Sequence, residues 1–577
     1  MYRNNLKNKL SINFNLIKEN KIVQFVLLIS LFVFSLYFAY LNKFLQDDAF
    51  ITFRYSENWS NGLGPVFNQG EKIEGYTNFL WMFIIALCLN FIKDPIVLSH
   101  FWGIVFYFIT LLCYYRVSIS FFSNAFLSIL FLFLLGTNYS LSSYATGGLE
   151  TSLASALLAL TLFLINKIEL NKIQNIYLFL ISIVLSLLIL TRLDFGLVVA
   201  LFYIYIIYRI FFIEIKDKFK RIFILSAPLT LLVGFYLLWK YLYYKNLLPN
   251  TFNAKLNGGS DYNILSGLDF LLTFITTYWL GLPILFLLSL VVFRKVVLNT
   301  HFEKILLILL LLVTFYVVSI GGDFMEFRFF VPYIPILFLI LIKQFYISIG
   351  IVGVLSLGFS LLFSSMNYRF KDKKKLIQNL SFSGIESILN LQKHLTDPLE
   401  NWIFIGKEFR KTFKDTQIKI SVGPAGAIPY YSKLHSLDML GLNDENVKDP
   451  KYFDTFPAFK SGHKKFSKLS YLKKKNIQLV ISNPVIFPSQ YIYDKNPSLA
   501  SLIESKIDLN INNKYSLIKA FFPLIDLEEL KSLNELRFLW IPLNKESRLL
   551  VLYLCESEEL DAIIERNKWD SFIVKFN

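Results

Sequence analysis

Long apolar runs alternate with short polar turns over the first two thirds of the chain. A bilayer core about 30 Å thick requires about 20 apolar residues in each crossing helix. The first run, 22–41, follows a basic segment and lacks a small-residue cleavage site, which indicates an uncleaved anchor. The pattern predicts a polytopic α-helical membrane protein. Further apolar runs occupy 79–92, 96–115, 121–137, 151–165, 176–190, 195–213, 222–244, 268–293, 305–320, 329–342 and 345–365.

The charge of the turns predicts the orientation. The turns 166–175, 214–221 and 294–304 are basic, as is the N-terminal segment, and basic turns stay on the cytoplasmic side of a membrane. If every run crossed, the alternation would fail by one crossing in the first 150 residues. We therefore interpret the short run 79–92 as a re-entrant or interfacial helix. About eleven crossings remain, with the N-terminus in the cytoplasm and the end of the chain outside the cell.

The composition agrees with a membrane protein and excludes soluble classes. Hydrophobic residues make up 55% and charged residues 17% of the 577 positions, whereas soluble chains carry about 25% charge. The net charge of +16 would also be typical of nucleic-acid binding. The basic residues, however, lie mostly in short turns and in the last third of the chain, which favours membrane topology and contact with anionic lipid.

From residue 366 onward the sequence is mixed polar and predicts a small α/β domain. We therefore divide the chain into a membrane domain, 1–365, with a first outer loop at 42–78, and an extracytoplasmic domain, 366–577. The segment GPAGAIP (423–429) is rich in glycine but lacks GxGxxG spacing, so it does not indicate a nucleotide site. The domain is interpreted as an acceptor-binding module or lid, or equally as a stabilising cap. Its predicted strands are 418–422, 437–440, 479–482, 538–543 and 549–554, with a helix at 471–475.

Polar residues that are costly near hydrocarbon collect on the predicted outer face. Asp47 and Asp48 follow the first span directly, and two adjacent carboxylates need a cation or a shared proton. Carboxylates for proton transfer beside cations for an anionic group predict a pocket that binds a lipid phosphate. The alternative is a set of interfacial ion pairs and turn caps. The other candidates are Arg54, Glu74, Tyr76, Asn78, Trp81, Glu150, Arg192, Asp194, Asn250, Lys255, Asp323 and Arg328.

The run DDAFITFRYSENWSNGLGPVFNQGEKIEGYTNFLW (47–81) resembles the first periplasmic loop of bacterial arabinofuranosyltransferase-type membrane glycosyltransferases. The family in question is that of the terminal β-(1→2)-arabinofuranosyltransferases. Further stretches resemble the family in the same order along the chain. They are YATGGLETSL (144–153), TRLDFG (191–196), LPNTFNAKL (248–256), GGDFMEFRFFVPYIP (321–335) and GPAGAIPYYSKLHSLDMLGLND (423–444).

The resemblance implies a C-type glycosyltransferase (GT-C) fold in the bacterial inner membrane. It also implies a polyprenyl-phosphate-linked sugar donor, with arabinofuranose suggested by the family name, and a glycan or glycolipid acceptor outside the cell. Asp47, with Asp48 as close competitor, would be the general base of an inverting displacement. The leaving phosphate would be bound by Lys255, Arg192 and Arg328, together with Asn250, and the remaining candidates would line the acceptor side or the pocket.

The resemblance also permits a divalent cation, because some members of the wider fold use one beside this carboxylate. Asp47 and Asp48 would supply its hard oxygen ligands. The sequence itself requires no cofactor, since it contains no cluster of His and Cys.

A transporter or lipid flippase with an outer accessory domain is the alternative function. It would need polar groups near the bilayer midplane and, often, inverted repeats with interrupted helices. The sequence shows no convincing repeat, and Pro228 and Pro283 interrupt spans without charges beside them. A sensor or scaffold is less favoured, because eleven spans exceed what it needs.

Overall fold

The structure is a computed structural model that describes residues 21–576 with internal gaps. The basic N-terminal segment and parts of the predicted cytoplasmic turns therefore lie outside the described residues. The gaps are 171–172, 213–216, 256–259, 294–295, 299, 371–383, 456–464 and 489–510.

The described part of the membrane domain is helical, which confirms the predicted fold class. Seven helices (α1, α4, α7, α9, α10, α14 and α15 below) are long and apolar enough to cross a membrane, so the chain is a multi-pass membrane protein. Two of them, α9 and α15, continue from short 3₁₀ turns at Leu193–Phe195 and Val331–Tyr333. The helices are α1 Lys21–Leu41, α2 Asp47–Ser60, α3 Phe79–Cys88, α4 Pro95–Phe122, α5 Ala125–Gly136, α6 Tyr139–Ser143, α7 Thr151–Leu170, α8 Asn175–Thr191, α9 Gly196–Phe212, α10 Lys218–Tyr244, α11 Asn250–Lys255, α12 Ser260–Thr277, α13 Gly281–Val292, α14 His301–Ile320, α15 Ile334–Ile349 and α16 Ile351–Phe370.

Helix α3 occupies the run that we predicted to be re-entrant or interfacial. Its 10 residues are about 15 Å long, which is half the thickness of a bilayer core. Helices α5, α8 and α16 are also apolar but short. The predicted count of about eleven crossings depends on these helices and stays a prediction.

The hydropathy pattern predicted one continuous span at 268–293, and this prediction is wrong. Helices α12 and α13 meet there at an angle of 106°. Trp279 has a left-handed backbone with φ of 53°, which ends α12. Pro283 lies in the first turn of α13, where its missing N–H breaks no helical hydrogen bond. Hydropathy alone contains no information about such a bend, since the residues on both sides are apolar.

The C-terminal part is an α/β domain, as predicted. One sheet has the strand order β2-β1-β5-β8-β7-β9, and β6 pairs with β8. Strand β1 pairs in parallel with β2 and β5, and the other pairs in this sheet are antiparallel. The strands are β1 Lys419–Val422, β2 His435–Asp438, β3 Phe453–Thr455, β4 Lys465–Ser467, β5 Leu479–Ile481, β6 Ile486–Pro488, β7 Glu535–Pro542, β8 Ser547–Tyr553 and β9 Ser571–Lys575. The helices are α17 Ile388–Thr396, α18 Trp402–Thr412, α19 Ala427–Ser432, α20 Leu469–Lys474, α21 Ile511–Phe521, α22 Leu527–Lys531 and α23 Glu558–Asn567.

All five predicted strands are present, although β2 begins and ends two residues before the predicted strand. The predicted helix at 471–475 is present as α20. Strands β3, β4, β6 and β9 were not predicted. Three of these have only three residues, too few to show an alternating pattern.

The C-terminal domain packs directly on helix α2 of the first outer loop. Ile51 and Tyr55 of α2 share one buried core with Phe409 and Ile420 of the domain. The guanidinium of Arg54 donates to the carbonyl oxygens of Pro429 and Leu434 at 2.5 and 2.9 Å. These contacts hold the start of α2 against the loop that follows β1, and this is where the candidate site lies.

Candidate active site

Asp47, the first residue of α2, binds the backbone of the C-terminal domain. Its two carboxylate oxygens accept hydrogen bonds from the N–H groups of Gly426 and Ala427 at 3.0 and 2.7 Å. A Cβ at Gly426 would collide with the backbone oxygen of Asp47, so only glycine fits there. The glycine-rich loop considered for phosphate therefore binds a carboxylate of the protein itself.

The environment of Asp47 favours its neutral form. Burial raises the pKa of this carboxyl group from 3.8 to about 7. The hydrogen bond from the backbone N–H of Ala427 lowers the pKa, and the negative charge of Asp48 raises it further. The hydrogen bond from the N–H of Gly426 and the charge of His394 also lower it. Asp47 is therefore a carboxyl group that titrates near neutral pH.

Asp48 lies where two cavities adjoin. The first, which we call the interdomain cavity, is lined by residues of α2 and of the C-terminal domain and has a volume of about 230 Å³. The second, the junction cavity, has a volume of about 80 Å³. Asp48, Ile51 and Phe324 line both. The interdomain cavity is also lined by Gln46, Asp47, Glu386, His394, Trp402 and Asn483, and the junction cavity by Tyr76, Thr77, Asn78, Glu150, Thr251 and Arg328.

A third cavity, the arginine cavity, adjoins the junction cavity on the other side. Its volume is about 500 Å³, and it shares Thr77, Thr251 and Arg328 with the junction cavity. Three cavities that share lining residues thus extend from the C-terminal domain past Asp48 to the arginines. The lining of the third includes Arg192, Asp194, Leu248, Phe252, Tyr316, Asp323 and Phe329.

The predicted cations and carboxylates around the arginine cavity are paired with one another. Arg192 forms ion pairs with Glu150 at 3.0 Å and with Asp194 at 2.7 Å. Arg328 pairs with Asp323 at 2.8 Å. These carboxylates fix the two guanidinium groups in position before any ligand arrives, as preorganised stabilisation of charge requires.

An aromatic ring and an amide complete this arrangement. The guanidinium groups of Arg192 and Arg328 lie 5.0 and 5.3 Å from the ring centroid of Phe329. Asn78 donates to Glu150 at 2.8 Å, so the first outer loop contacts the same cluster. The side chain of Lys255 lies outside the described part of the structure, and its predicted phosphate contact stays a prediction.

Four predicted site residues do not line these cavities. Arg54 clamps the C-terminal domain, as described above, and Asn250 donates to the backbone oxygens of Gly441 and Asp444 at 2.9 and 2.7 Å. Glu74 forms a buried ion pair with Lys240 at 2.8 Å. The indole N–H of Trp81 donates to the backbone oxygen of Gly148 at 2.9 Å. In this structure the four side chains hold the outer loop and the domain in place.

The structure brings in residues that the sequence analysis did not select. The imidazole of His394 contacts Glu386 at 3.0 Å and Glu400 at 2.6 Å and stacks on Trp402 with ring centroids 4.5 Å apart. Burial lowers the pKa of His394, but hydrogen bonds to the two carboxylates outweigh it and raise the pKa to about 9. No motif could have identified these residues, because their proximity to Asp47 depends on how the domain packs.

Among the described residues, a divalent cation would find no preformed cluster of three acidic, His or Cys ligands. Across that part of the chain, no three His, Cys, Asp or Glu side chains converge closely enough to hold a metal ion. Both oxygens of Asp47 already accept N–H bonds. The cation permitted by the resemblance stays a prediction, and no step below depends on it.

Comparison with known proteins agrees with this fold. The structure is similar to that of ArnT from Cupriavidus metallidurans, which was solved bound to undecaprenyl phosphate. The match covers 93% of this chain and 100% of ArnT, with a TM-score of 0.53 at 10% sequence identity. A weaker likeness, with a TM-score of 0.47 and 11% identity over 90% of this chain and 72% of the other, links it to the Archaeoglobus fulgidus oligosaccharyltransferase. The likeness to ArnT shows that the two chains share a fold, in agreement with the fold that the resemblance in the sequence implies.

Two sequence comparisons cover smaller parts of the chain. Residues 398–539 match a family described as a domain of unknown function, DUF8728. A segment of 55 residues is 38% identical to the terminal β-(1→2)-arabinofuranosyltransferase of Corynebacterium glutamicum. That segment spans 10% of this chain and 8% of the relative. It supports the resemblance noted in the sequence.

Proposed function

We propose that the protein is a glycosyltransferase that moves a sugar from a polyprenyl phosphate to a hydroxyl group of an extracytoplasmic acceptor. The observation that carries this proposal is the position of Asp48, which lines both the interdomain cavity and the junction cavity. A carboxylate there lies between a space for an acceptor and the arginines that would receive a phosphate.

The arginine cavity is the proposed donor site. Its volume of about 500 Å³ lies in the range of small-molecule pockets. Leu248, Phe252 and Tyr316 provide apolar surface for a prenyl chain. Arg192 and Arg328, which carboxylates hold in position, provide guanidinium N–H donors for the phosphate. The related fold in ArnT binds undecaprenyl phosphate. Because of the short match to an arabinofuranosyltransferase, arabinofuranose is the first donor sugar to test.

The proposed reaction is a single inverting displacement. Asp48 accepts the proton of the acceptor hydroxyl, and the hydroxyl oxygen forms a bond to the anomeric carbon of the sugar. The bond from that carbon to the phosphate oxygen breaks, and the phosphate leaves with the electron pair. Arg192 and Arg328 stabilise the negative charge that develops there. Asp47 acts as a positioning residue, because its oxygens bind the backbone of the C-terminal domain.

The proposed location follows from the charge of the turns. With the basic turns on the cytoplasmic side, α2, the cavities and the C-terminal domain would lie on the outer side of the plasma membrane. A lipid-linked donor suits that side, since it diffuses in the membrane. A glycan or glycolipid of the cell envelope is the corresponding acceptor.

Asp48→Asn tests the proposal directly. We expect kcat for sugar transfer to fall by about 10²- to 10⁴-fold, the usual contribution of a general base. Thermal stabilisation of the purified protein by the polyprenyl-phosphate sugar should persist, because the arginines are unchanged. The matched variant Asp47→Asn should lose less activity. Transfer at the wild-type rate by Asp48→Asn would refute the assigned chemistry. Stabilisation by none of a panel of polyprenyl-phosphate sugars would refute the donor class.

A further inference from the structure

The side chain of Gln46 is buried without a hydrogen-bond partner. Gln46 directly precedes helix α2 at its N-cap position, but its side chain does not cap the helix. It is 1% exposed, and neither its amide nitrogen nor its amide oxygen is hydrogen-bonded within the described structure. Buried polar groups are nearly always paired, so an amide with both groups unpaired is suited to bind a polar ligand.

The unpaired amide belongs to the interdomain cavity, and a second unpaired group lines the same space. Gln46 and Trp402 both line the cavity, next to Asp47 and Asp48. The indole N–H of Trp402 is buried and has no partner among the described residues. The cavity therefore offers an amide N–H donor, an indole N–H donor and an amide oxygen acceptor. Hydroxyl groups match this set, since each of them both donates and accepts.

The charge around the cavity disfavours an anionic ligand. The carboxyl groups of Asp47, Asp48 and Glu386 line it, and the imidazole of His394 is the basic group among them. That imidazole is already paired with Glu386 and Glu400. Among the described lining residues, the carboxyl groups outnumber the one basic group, so a carboxylate or phosphate in the cavity would be repelled by the net negative charge. An uncharged ligand would avoid this repulsion.

We propose that Gln46 and Trp402 form the acceptor subsite and select an uncharged, hydroxyl-bearing acceptor, that is, a neutral sugar unit. That the bound molecule is the acceptor rests on the proposed function, whereas the hydroxyl-binding site itself depends only on the cavity. Gln46 determines specificity because its amide forms hydrogen bonds with the hydroxyl groups of the ligand. Its position beside Asp47 and Asp48 in the sequence brings a bound hydroxyl close to the proposed base.

Gln46→Leu separates this role from a structural one. The substitution removes both unpaired polar atoms and keeps a similar shape, a change that is neutral or stabilising when no partner is lost. We expect Tm of the purified protein to stay the same or rise. The acceptor KM should rise at least about tenfold, with the donor KM unchanged. Gln69→Leu is the matched control, since Gln69 lies exposed in the same outer loop.

A second variant tests the same site through the other element. Trp402→Phe keeps a six-membered ring that can stack on His394 and removes the indole N–H together with the five-membered ring that carries it. It should also raise the acceptor KM. If Gln46→Leu lowers Tm, Trp402→Phe still tests the subsite. A lower Tm in Gln46→Leu together with an unchanged acceptor KM in Trp402→Phe would overturn the inference.

Binding without turnover distinguishes the subsite from the proposed function. Neutral methyl glycosides and the corresponding uronic acids are added at millimolar concentration to the full-length protein in detergent, and Tm is measured. We expect some of the neutral glycosides to stabilise the wild type and Gln69→Leu, but not Gln46→Leu, and the uronic acids to stabilise less.

The outcomes separate cleanly. Stabilisation by neutral glycosides that depends on Gln46, with no sugar transfer from any donor, would support the subsite and refute the proposed function. Sugar transfer with an unchanged acceptor KM in Gln46→Leu would support the function and refute the subsite. Equal stabilisation of Gln46→Leu and the wild type, stronger stabilisation by uronic acids, or none by any glycoside would also refute the subsite.

Discussion

Replacing Asp47 by Asn should change how the stability of the protein depends on pH. In the folded protein, burial raises the pKa of Asp47 from 3.8 to about 7. Between these two values the folded state binds more protons at this site than the unfolded state, so the contribution of Asp47 to stability falls as the pH rises from about 4 to 7. Asparagine does not titrate, so the variant lacks this dependence.

The magnitude follows from the size of the pKa change. Each pKa unit corresponds to about 1.4 kcal/mol, so a rise from 3.8 to about 7 corresponds to at most about 4 kcal/mol. The side chain of Asp47 is only half-buried, and solvent screening makes this value an upper limit. The free energy of unfolding of Asp47→Asn, relative to the wild type, should therefore increase by up to this amount between pH 4.5 and 8.

Thermal unfolding of the detergent-purified protein, followed by tryptophan fluorescence at several pH values, measures this effect. The quantity to compare is the difference in Tm between variant and wild type, because other groups titrate in both proteins. Asp415→Asn, at an exposed aspartate of the C-terminal domain, provides the baseline for the same substitution. A Tm difference for Asp47→Asn that stays constant, or that moves in favour of the wild type at high pH, would show that burial does not control this carboxyl group.

Two further predictions concern other buried charges. Lys240→Met should destabilise the protein by about 3–5 kcal/mol, because it leaves Glu74 buried without its ion-pair partner at 2.8 Å. Adding Glu74→Gln should restore most of the lost stability, measured by Tm. No recovery of Tm in the double variant would contradict the pairing. His394→Gln should destabilise the protein at neutral pH, since Glu386 and Glu400 raise the pKa of His394 to about 9. That contribution is complete below about pH 6.5 and is lost as the pH rises through 9, so a Tm difference that persists undiminished at pH 10 would argue against it.

The fold was largely predictable because it depends on local patterns. Apolar runs of about 20 residues predict spans without knowledge of their neighbours. Strand β5 and the second halves of β7 and β8 are runs of apolar residues between turn formers. The bend at Trp279 was not predictable in this way. It depends on one left-handed residue inside an apolar run, and hydropathy does not distinguish a bent pair of helices from a straight one.

The site was predictable only in part, because pairing in three dimensions decides the role of a polar residue. Arg192 and Arg328 were selected since both follow spans at the outer face, and they line the same cavity. Arg54 and Glu74 satisfied the same criterion, but their charges are used within the fold. Gln46 was not selected, since an uncharged amide before a helix has no distinctive signal until its burial without a partner is seen.

The adjacent carboxylates at the start of α2 explain how one short helix joins two functions. Successive residues of an α-helix point about 100° apart, so Asp47 and Asp48 contact different groups although both line the interdomain cavity. Asp47 binds the N–H groups of Gly426 and Ala427, while Asp48 lines both the interdomain and the junction cavities. The residue that fixes the domain is thus covalently next to the proposed base. An error of about 1 Å in the position of a reacting group can reduce a rate about 10²-fold. This direct linkage therefore helps to position an acceptor that is bound partly by the domain against a donor that is bound by the membrane helices.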